Sequence, residues 1–183
     1  MSRLWLVRHG PTHARTMLGW TDRPADLSDA DALARLSALL PDAPVVSSDL
    51  VRATATADAI GAGRERLAHA PDLREFHYGD WEDRPFDAID GPRLRAFFDA
   101  PGDVAAPGGE SWNDVVARAG AALDRLDRPE LIVVCHFGVI LSLWAEAAGL
   151  PPAEAVAQRV EPLSVTRIDR GPAPRAHWVN RRP

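Results

Sequence analysis

The chain has 183 residues, 46% hydrophobic and 26% charged, the balance of one globular domain that spans residues 1–183 and buries a proper core. Its net charge of -5 disfavours nucleic acid or an anionic membrane as partner. All 21 of its Lys-or-Arg residues are Arg, which excludes Schiff-base, pyridoxal phosphate and P-loop chemistry, since each needs a Lys.

The N-terminus runs Met1-Ser2 and then directly into Arg3–Val7, a short apolar segment read as a buried strand ending at Arg8. It lacks a signal-peptide core. A loop with Gly and Pro follows from Gly10 to Leu27. Ser28 is the expected N-cap of a helix whose Leu33, Leu36, Leu39 and Leu40 recur at helical spacing. Pro41 and Pro44 stop that helix, Val45–Ser48 reads as a second strand, and Leu50–Ile60 as a second helix closed by Gly61.

Pro71 to Gly109 is rich in turn formers and predicts an irregular excursion, with a short helix over Pro92–Asp99. Ser111 then N-caps a helix to Leu126, with Asp114 as an imperfect capping-box partner. Leu131–Cys135 is the most apolar strand and runs into His136; a helix over Phe137–Ala148 follows, ended by Gly149 and two prolines. From Arg159 to Val179 two extended segments flank a Gly171-Pro172 turn. No apolar run approaches the ~20 residues that span a bilayer. The lone Cys135 cannot form an internal disulfide and suits a reducing compartment. A cytoplasmic protein is expected. The alternation of strand and helix predicts a three-layer α/β/α fold, with a mostly parallel central sheet and helices on both faces.

Ligands of open parallel sheets bind beyond the carboxyl ends of the strands. There the first strand delivers Arg8-His9-Gly10, the Leu131 strand delivers His136, and the helix after the Val45 strand carries Arg52 in its first turn. Two guanidinium groups and two imidazoles suit a phosphoryl dianion: Arg pairs with its oxygens through a planar fork and keeps its charge. Flanking cations disfavour imidazolium, which leaves a His neutral and nucleophilic. Gly10 is expected to turn the backbone sharply close to the ligand. A leaving alkoxide needs a proton, and Glu75, Asp80 and Glu82 in the aromatic-rich loop compete to supply it. His13, four residues from His9, lies in a Gly/Pro loop without metal-ligand spacing, so no metal is expected.

These residues resemble the motifs of the histidine phosphatase (phosphoglycerate mutase-like) superfamily, in family order from residue 3 to about 141. Arg8-His9-Gly10-Pro11-Thr12 resembles its opening signature, and Ser47-Ser48-Asp49-Leu50-Val51-Arg52 through Ala57 its second motif. Leu73-Arg74-Glu75 with Tyr78–Glu82 is similar to the acid-bearing segment, Pro107–Ser111 to the turn before the penultimate helix, and Val133–His136 to the strand carrying the second His. The resemblance implies a phosphatase with His9 as phosphorylated nucleophile. Arg8, Arg52 and His136 would form the phosphate pocket, Glu75 would donate the proton, and no metal or organic cofactor would take part. Thr12 and Arg15 are read as further substrate-binding residues. Two departures stand out: Arg15 occupies a position often Asn, and Phe137 intervenes between His136 and Gly138. The expected reaction is hydrolysis of a small phosphorylated metabolite. A phosphoglycerate mutase and a non-catalytic phospholigand-binding domain are the alternatives. The sequence leaves oligomeric state open.

Overall fold

A computed structural model describes all 183 residues. Its sheet has five strands: β1 Ser2–Arg8, β2 Val45–Ser47, β3 Glu130–Cys135, β4 Val165–Arg170 and β5 Arg175–Arg181. They lie in the order β2-β3-β1-β4-β5. β2, β3 and β1 pair in parallel; β4 runs antiparallel to β1, and β5 returns antiparallel to β4. Four of the five strands therefore point the same way, with the C-terminal hairpin folded back through Gly171 onto the edge of a parallel core.

The longer helices are α1 Ala30–Leu39, α2 Val51–Ala59, α3 Pro92–Asp99, α4 Trp112–Leu126 and α5 Phe137–Ala148, followed by the single turn α6 Pro152–Ala155. They cover both faces of the sheet because alternate residues of the central strands point to opposite sides. On one face Leu4, Leu6, Leu131 and Val133 pack with α4 and α5. On the other, Val7, Ile132, Val134 and Val45 pack with Leu33 and Leu36 of α1 and Ala53 and Ala57 of α2. Each such Leu, Ile or Val is fully withdrawn from water or nearly so, which contributes about 1.5–3 kcal/mol apiece. No helix is long and apolar enough to cross a membrane.

Several local expectations shift. α1 is capped by Asp29, whose carboxylate accepts from Ala32 N at 2.9 Å; the expected cap, Ser28, has its own N–H turned to Asp26 Oδ1. The imperfect box at α4 closes in full, Ser111 Oγ accepting from Asp114 N and Asp114 Oδ2 from Ser111 N. The excursion contains α3 and three short 3-10 turns, at Pro71–Leu73, Gly79–Trp81 and Phe86–Ala88. Arg64 explains how α1 and α2 end together: its guanidinium donates to the carbonyls of Ser37, Leu40, Pro41 and Ile60. These carbonyls lie at or just past the helix C-termini, where intrahelical donors run out.

Candidate active site

Parallel pairing of β1 with β3 brings Arg8 opposite Cys135, so His9 and His136 leave neighbouring strand ends together. Their ring centroids are 5.0 Å apart. His9 is only 6% exposed, and its Nδ1 lies 2.7 Å from the carbonyl oxygen of Gly10. A carbonyl only accepts, so the ring proton sits on Nδ1 and Nε2 keeps its lone pair. Arg52 Nε donates to that Nε2 at 3.3 Å. Burial, reinforced by the Arg52 charge, pulls the His9 pKa down to about 3. At neutral pH His9 is an uncharged base with its free nitrogen facing a guanidinium.

Arg52, 1% exposed, also donates to the carbonyls of Thr21 and Gly19. The loop carrying those carbonyls is fixed by Glu82, whose carboxylate accepts from the backbone N–H groups of Gly19, Trp20, Thr21 and Tyr78 and from the Thr21 hydroxyl. Arg8 donates to the Val160 carbonyl and has its guanidinium carbon 5.3 Å from the centroid of the Phe137 ring. The residue that interrupts the usual His-Gly pair thus forms a wall against Arg8. Buried Arg8 Nε and His136 Nδ1 have no partner within the protein. The Arg8 Nε–H is a donor that a bound anion would satisfy, and so is His136 Nδ1 when it carries the ring proton.

The structure separates the three competing carboxylates. Glu82 is occupied by five donors and held below its usual range by them. Asp80 is exposed. Glu75 is 5% exposed, with its carboxylate on the N–H groups of Phe76 and Gly138. Desolvation raises its pKa against those hydrogen bonds and the Arg52 and Arg8 charges. Of the three, only Glu75 combines a site position with a raised proton affinity. A Cβ on Gly138 would come within 2.6 Å of Glu75 Oε1 and strike the Phe76 ring, so the approach of α5 to the acid requires Gly there.

Gly10 serves differently from the expected sharp turn. Its φ is not positive; a Cβ would lie 2.6 Å from Leu27, and its N–H is held by Thr56 Oγ1. Close packing is the reason for the missing side chain. Thr12 is half-buried and Arg15 exposed; neither hydrogen-bonds to the converged residues. His13 pairs with Asp26 at 3.0 Å.

Sequence reasoning missed the groups that hold the others in place. Thr56, one helical turn after Arg52, is the clearest, and the i, i+4 spacing was its only signal. Arg118 on α4 spends its five N–H groups on both Glu110 oxygens and on the carbonyls of Asp72, Arg74 and Glu75. Trp20 Nε1 also donates to the Glu75 carbonyl. No sequence spacing announces those two.

Residues 4–179 match the family model of the histidine phosphatase superfamily, branch 1. The chain belongs to that superfamily. It is 32% identical over 181 residues to the adenosylcobalamin/α-ribazole phosphatase of Salmonella typhimurium, covering 91% of this chain and 90% of that protein. Among solved structures, Bacillus stearothermophilus YhfR superimposes with a TM-score of 0.83 at 29% identity, covering 97% of this chain and 95% of the other. A mycobacterial glucosyl-3-phosphoglycerate phosphatase gives 0.78 at 29% identity, with 91% and 89% covered. The three-layer fold and the phosphatase class expected from the ordered motifs both stand.

A cavity of about 320 Å³ lies between Leu27–Ala32 and Glu161–Leu163 and is lined by none of the converged residues. Volume does not mark this site; the chemistry of its side chains does. A smaller apolar hollow of about 50 Å³ is walled by Phe76, Tyr78, Phe97, Trp112, Phe137 and Gly138, of which Phe76 and Gly138 donate their N–H groups to Glu75.

Proposed function

We propose that this histidine phosphatase hydrolyses the phosphomonoester of a small metabolite through a phosphohistidine on His9. The observation that carries this reading is the state of His9: Nδ1–H held by the Gly10 carbonyl, Nε2 bare and oriented by Arg52. Nε2 attacks phosphorus while the ester oxygen departs, and Arg8 and Arg52 stabilise charge on the transferring phosphoryl oxygens. Glu75, whose proton affinity burial raises, gives its proton to the leaving oxygen. As a carboxylate it then takes a proton from the water that cleaves the N–P bond, which returns His9 and releases phosphate.

Thr12 and Arg15 belong in this reading to the mouth of the site, where an exposed guanidinium would meet a second acidic group on the substrate. The apolar hollow beside Glu75 favours a leaving group with an aromatic face over a bare polyol. Phosphorylated α-ribazole and glucosyl-3-phosphoglycerate, named for the relatives, are the first esters to assay. The lone buried Cys135 fits a cytoplasmic setting.

Rapid quenching of enzyme with p-nitrophenyl phosphate tests the reading. It expects an acid-labile phosphoenzyme mapped to residue 9, with stoichiometric phosphate release. Rapid isomerisation of 3-phosphoglycerate without phosphate release would assign a mutase instead. Tight phosphate binding with no turnover of any ester would leave only a binding domain.

A further inference from the structure

Ser48 is the first residue after β2, and parallel pairing continues through its backbone, its N–H donating to the Val134 carbonyl at 3.2 Å. That register sets its side chain against His136, two residues further along the neighbouring strand. Ser48 Oγ lies 2.7 Å from His136 Nε2, and both residues are completely buried. The flanking residues of the same motif turn elsewhere, Ser47 to His69 and Asp49 to Arg74.

The direction of this hydrogen bond follows from accounting with an anion in the site. His136 Nε2 is the single partner of the Ser48 hydroxyl. If the ring donated to Ser48, the hydroxyl proton would have no acceptor, and a buried donor left unmade costs about 1–3 kcal/mol. With Ser48 donating, the hydroxyl proton is satisfied, Nε2 is the bare nitrogen and the ring proton resides on Nδ1, where a bound anion accepts it. Nδ1 is itself buried without a partner in the protein, in a ring 5.0 Å from that of His9. The opposite tautomer would offer an incoming anion a lone pair instead of a proton.

We propose that Ser48 is a positioning residue that locks His136 as the Nδ1–H tautomer, so that this ring offers a hydrogen-bond donor to the phosphoryl group held beside His9. The proposal rests on the phosphatase reading for the anion that accepts the Nδ1 proton. Two imidazoles in one site then carry the same proton assignment for different reasons: a carbonyl accepting at Nδ1 fixes His9, and a hydroxyl donating at Nε2 fixes His136. His9 keeps a lone pair for attack, and His136 keeps a proton for binding.

Long-range proton–nitrogen NMR of the full chain labelled with 15N-histidine reads the tautomer directly, without turnover. Wild-type His136 is expected to show a protonated Nδ1 and a bare Nε2 at neutral pH, and the Nδ1 signal should move when orthovanadate is added. In Ser48→Ala the single-tautomer pattern is expected to be lost. The kcat for p-nitrophenyl phosphate should fall about tenfold to a hundredfold, the size of loss when a partner orienting a functional imidazole is removed. KM should rise as well, because the lost donor binds the phosphoryl group, and Ser48→Thr should restore both. A protonated Nε2 in the wild type would overturn the proposal, whether or not Ser48→Ala folds. So would Ser48→Ala with unaltered kcat and an unaltered His136 spectrum. Failure to form any phosphoenzyme would strike the phosphatase reading and leave the tautomer standing.

Discussion

Along the C-terminal edge of the sheet, Arg8, His9, Ser48 and His136 are delivered by strands buried on both faces. Glu75, in contrast, comes from an excursion that contains only short 3-10 turns around it. The first group inherits its position from a register shared by three strands. The second is held by polar clamps from distant segments: Arg118 and Trp20 on its carbonyl, Gly138 on its carboxylate. The difference suggests a division of labour. On the proposed mechanism the sheet edge would bind and attack the phosphoryl group, while the clamped loop would handle the proton. Perturbing the two regions should therefore give different kinetic signatures.

The largest effect belongs to the sheet edge. His9→Ala removes the proposed nucleophile and should lower kcat by about four orders of magnitude or more, with no phosphoenzyme detectable by quench. It also changes acid stability. The folded protein holds His9 at about 3 against an ordinary 6.5, so below pH 6.5 the unfolded chain takes up a proton that the folded chain refuses. Stability present above pH 6.5 is lost as pH falls toward 3, by as much as about 1.4 kcal/mol per pH unit from this residue. Urea titrations across that window should show a shallower loss in His9→Ala than in wild type; equal slopes would count against a buried neutral His9.

Next is the acid itself. Glu75→Gln should reduce turnover of alkyl phosphates by about a hundredfold to ten-thousandfold. The loss should be much smaller for p-nitrophenyl phosphate, whose leaving group needs no proton. Because burial raises the Glu75 pKa, wild-type kcat/KM should decline as pH rises through that value, and Glu75→Gln should abolish the decline. A decline that persists in the variant would move the general acid to another residue.

How well each region could be read from the sequence follows the same line. Strand ends were legible because apolar runs such as Leu131–Cys135 stop abruptly at polar residues, and a parallel sheet gathers such ends. Arg52 was legible from its place in the first turn of α2. The excursion was not: Glu75, Asp80 and Glu82 are chemically alike and closely spaced. Only folding shows that Glu82 is consumed by the 19–21 loop while Asp80 faces water. Gly10 was misjudged because a missing Cβ can serve a turn or a close contact, and the contact with Leu27 is remote in sequence. The C-terminal hairpin was expected as two extended segments, but its antiparallel addition to β1 depends on pairing that no local pattern encodes.

A clamp on the loop should show as an intermediate effect. Arg118→Met frees the carbonyls of Asp72, Arg74 and Glu75 and leaves the largely buried Glu110 carboxylate without its cation, held only by the His77 N–H, a loss of about 3–5 kcal/mol. The acid then drifts, and displacement on the order of 1 Å costs roughly a hundredfold in kcat. Inhibition by inorganic phosphate should persist, since the sheet edge supplies that binding. Matching losses of phosphate affinity and kcat would show that the two regions are not separable.

The smallest effect tests whether support for α4 reaches the clamp at all. Ser111 caps the helix seven residues before Arg118, through a reciprocal box with Asp114. Ser111→Ala removes one acceptor at the helix start and should cost about 1 kcal/mol. In a chain of this length that corresponds to a melting point lower by about 2–4 °C. Arg118 is two turns further along and tied to five oxygens of its own, so kcat and its pH dependence should stay as in wild type. If the cap variant instead loses turnover in proportion to stability, the acid loop takes its position from the whole of α4 and not from one guanidinium.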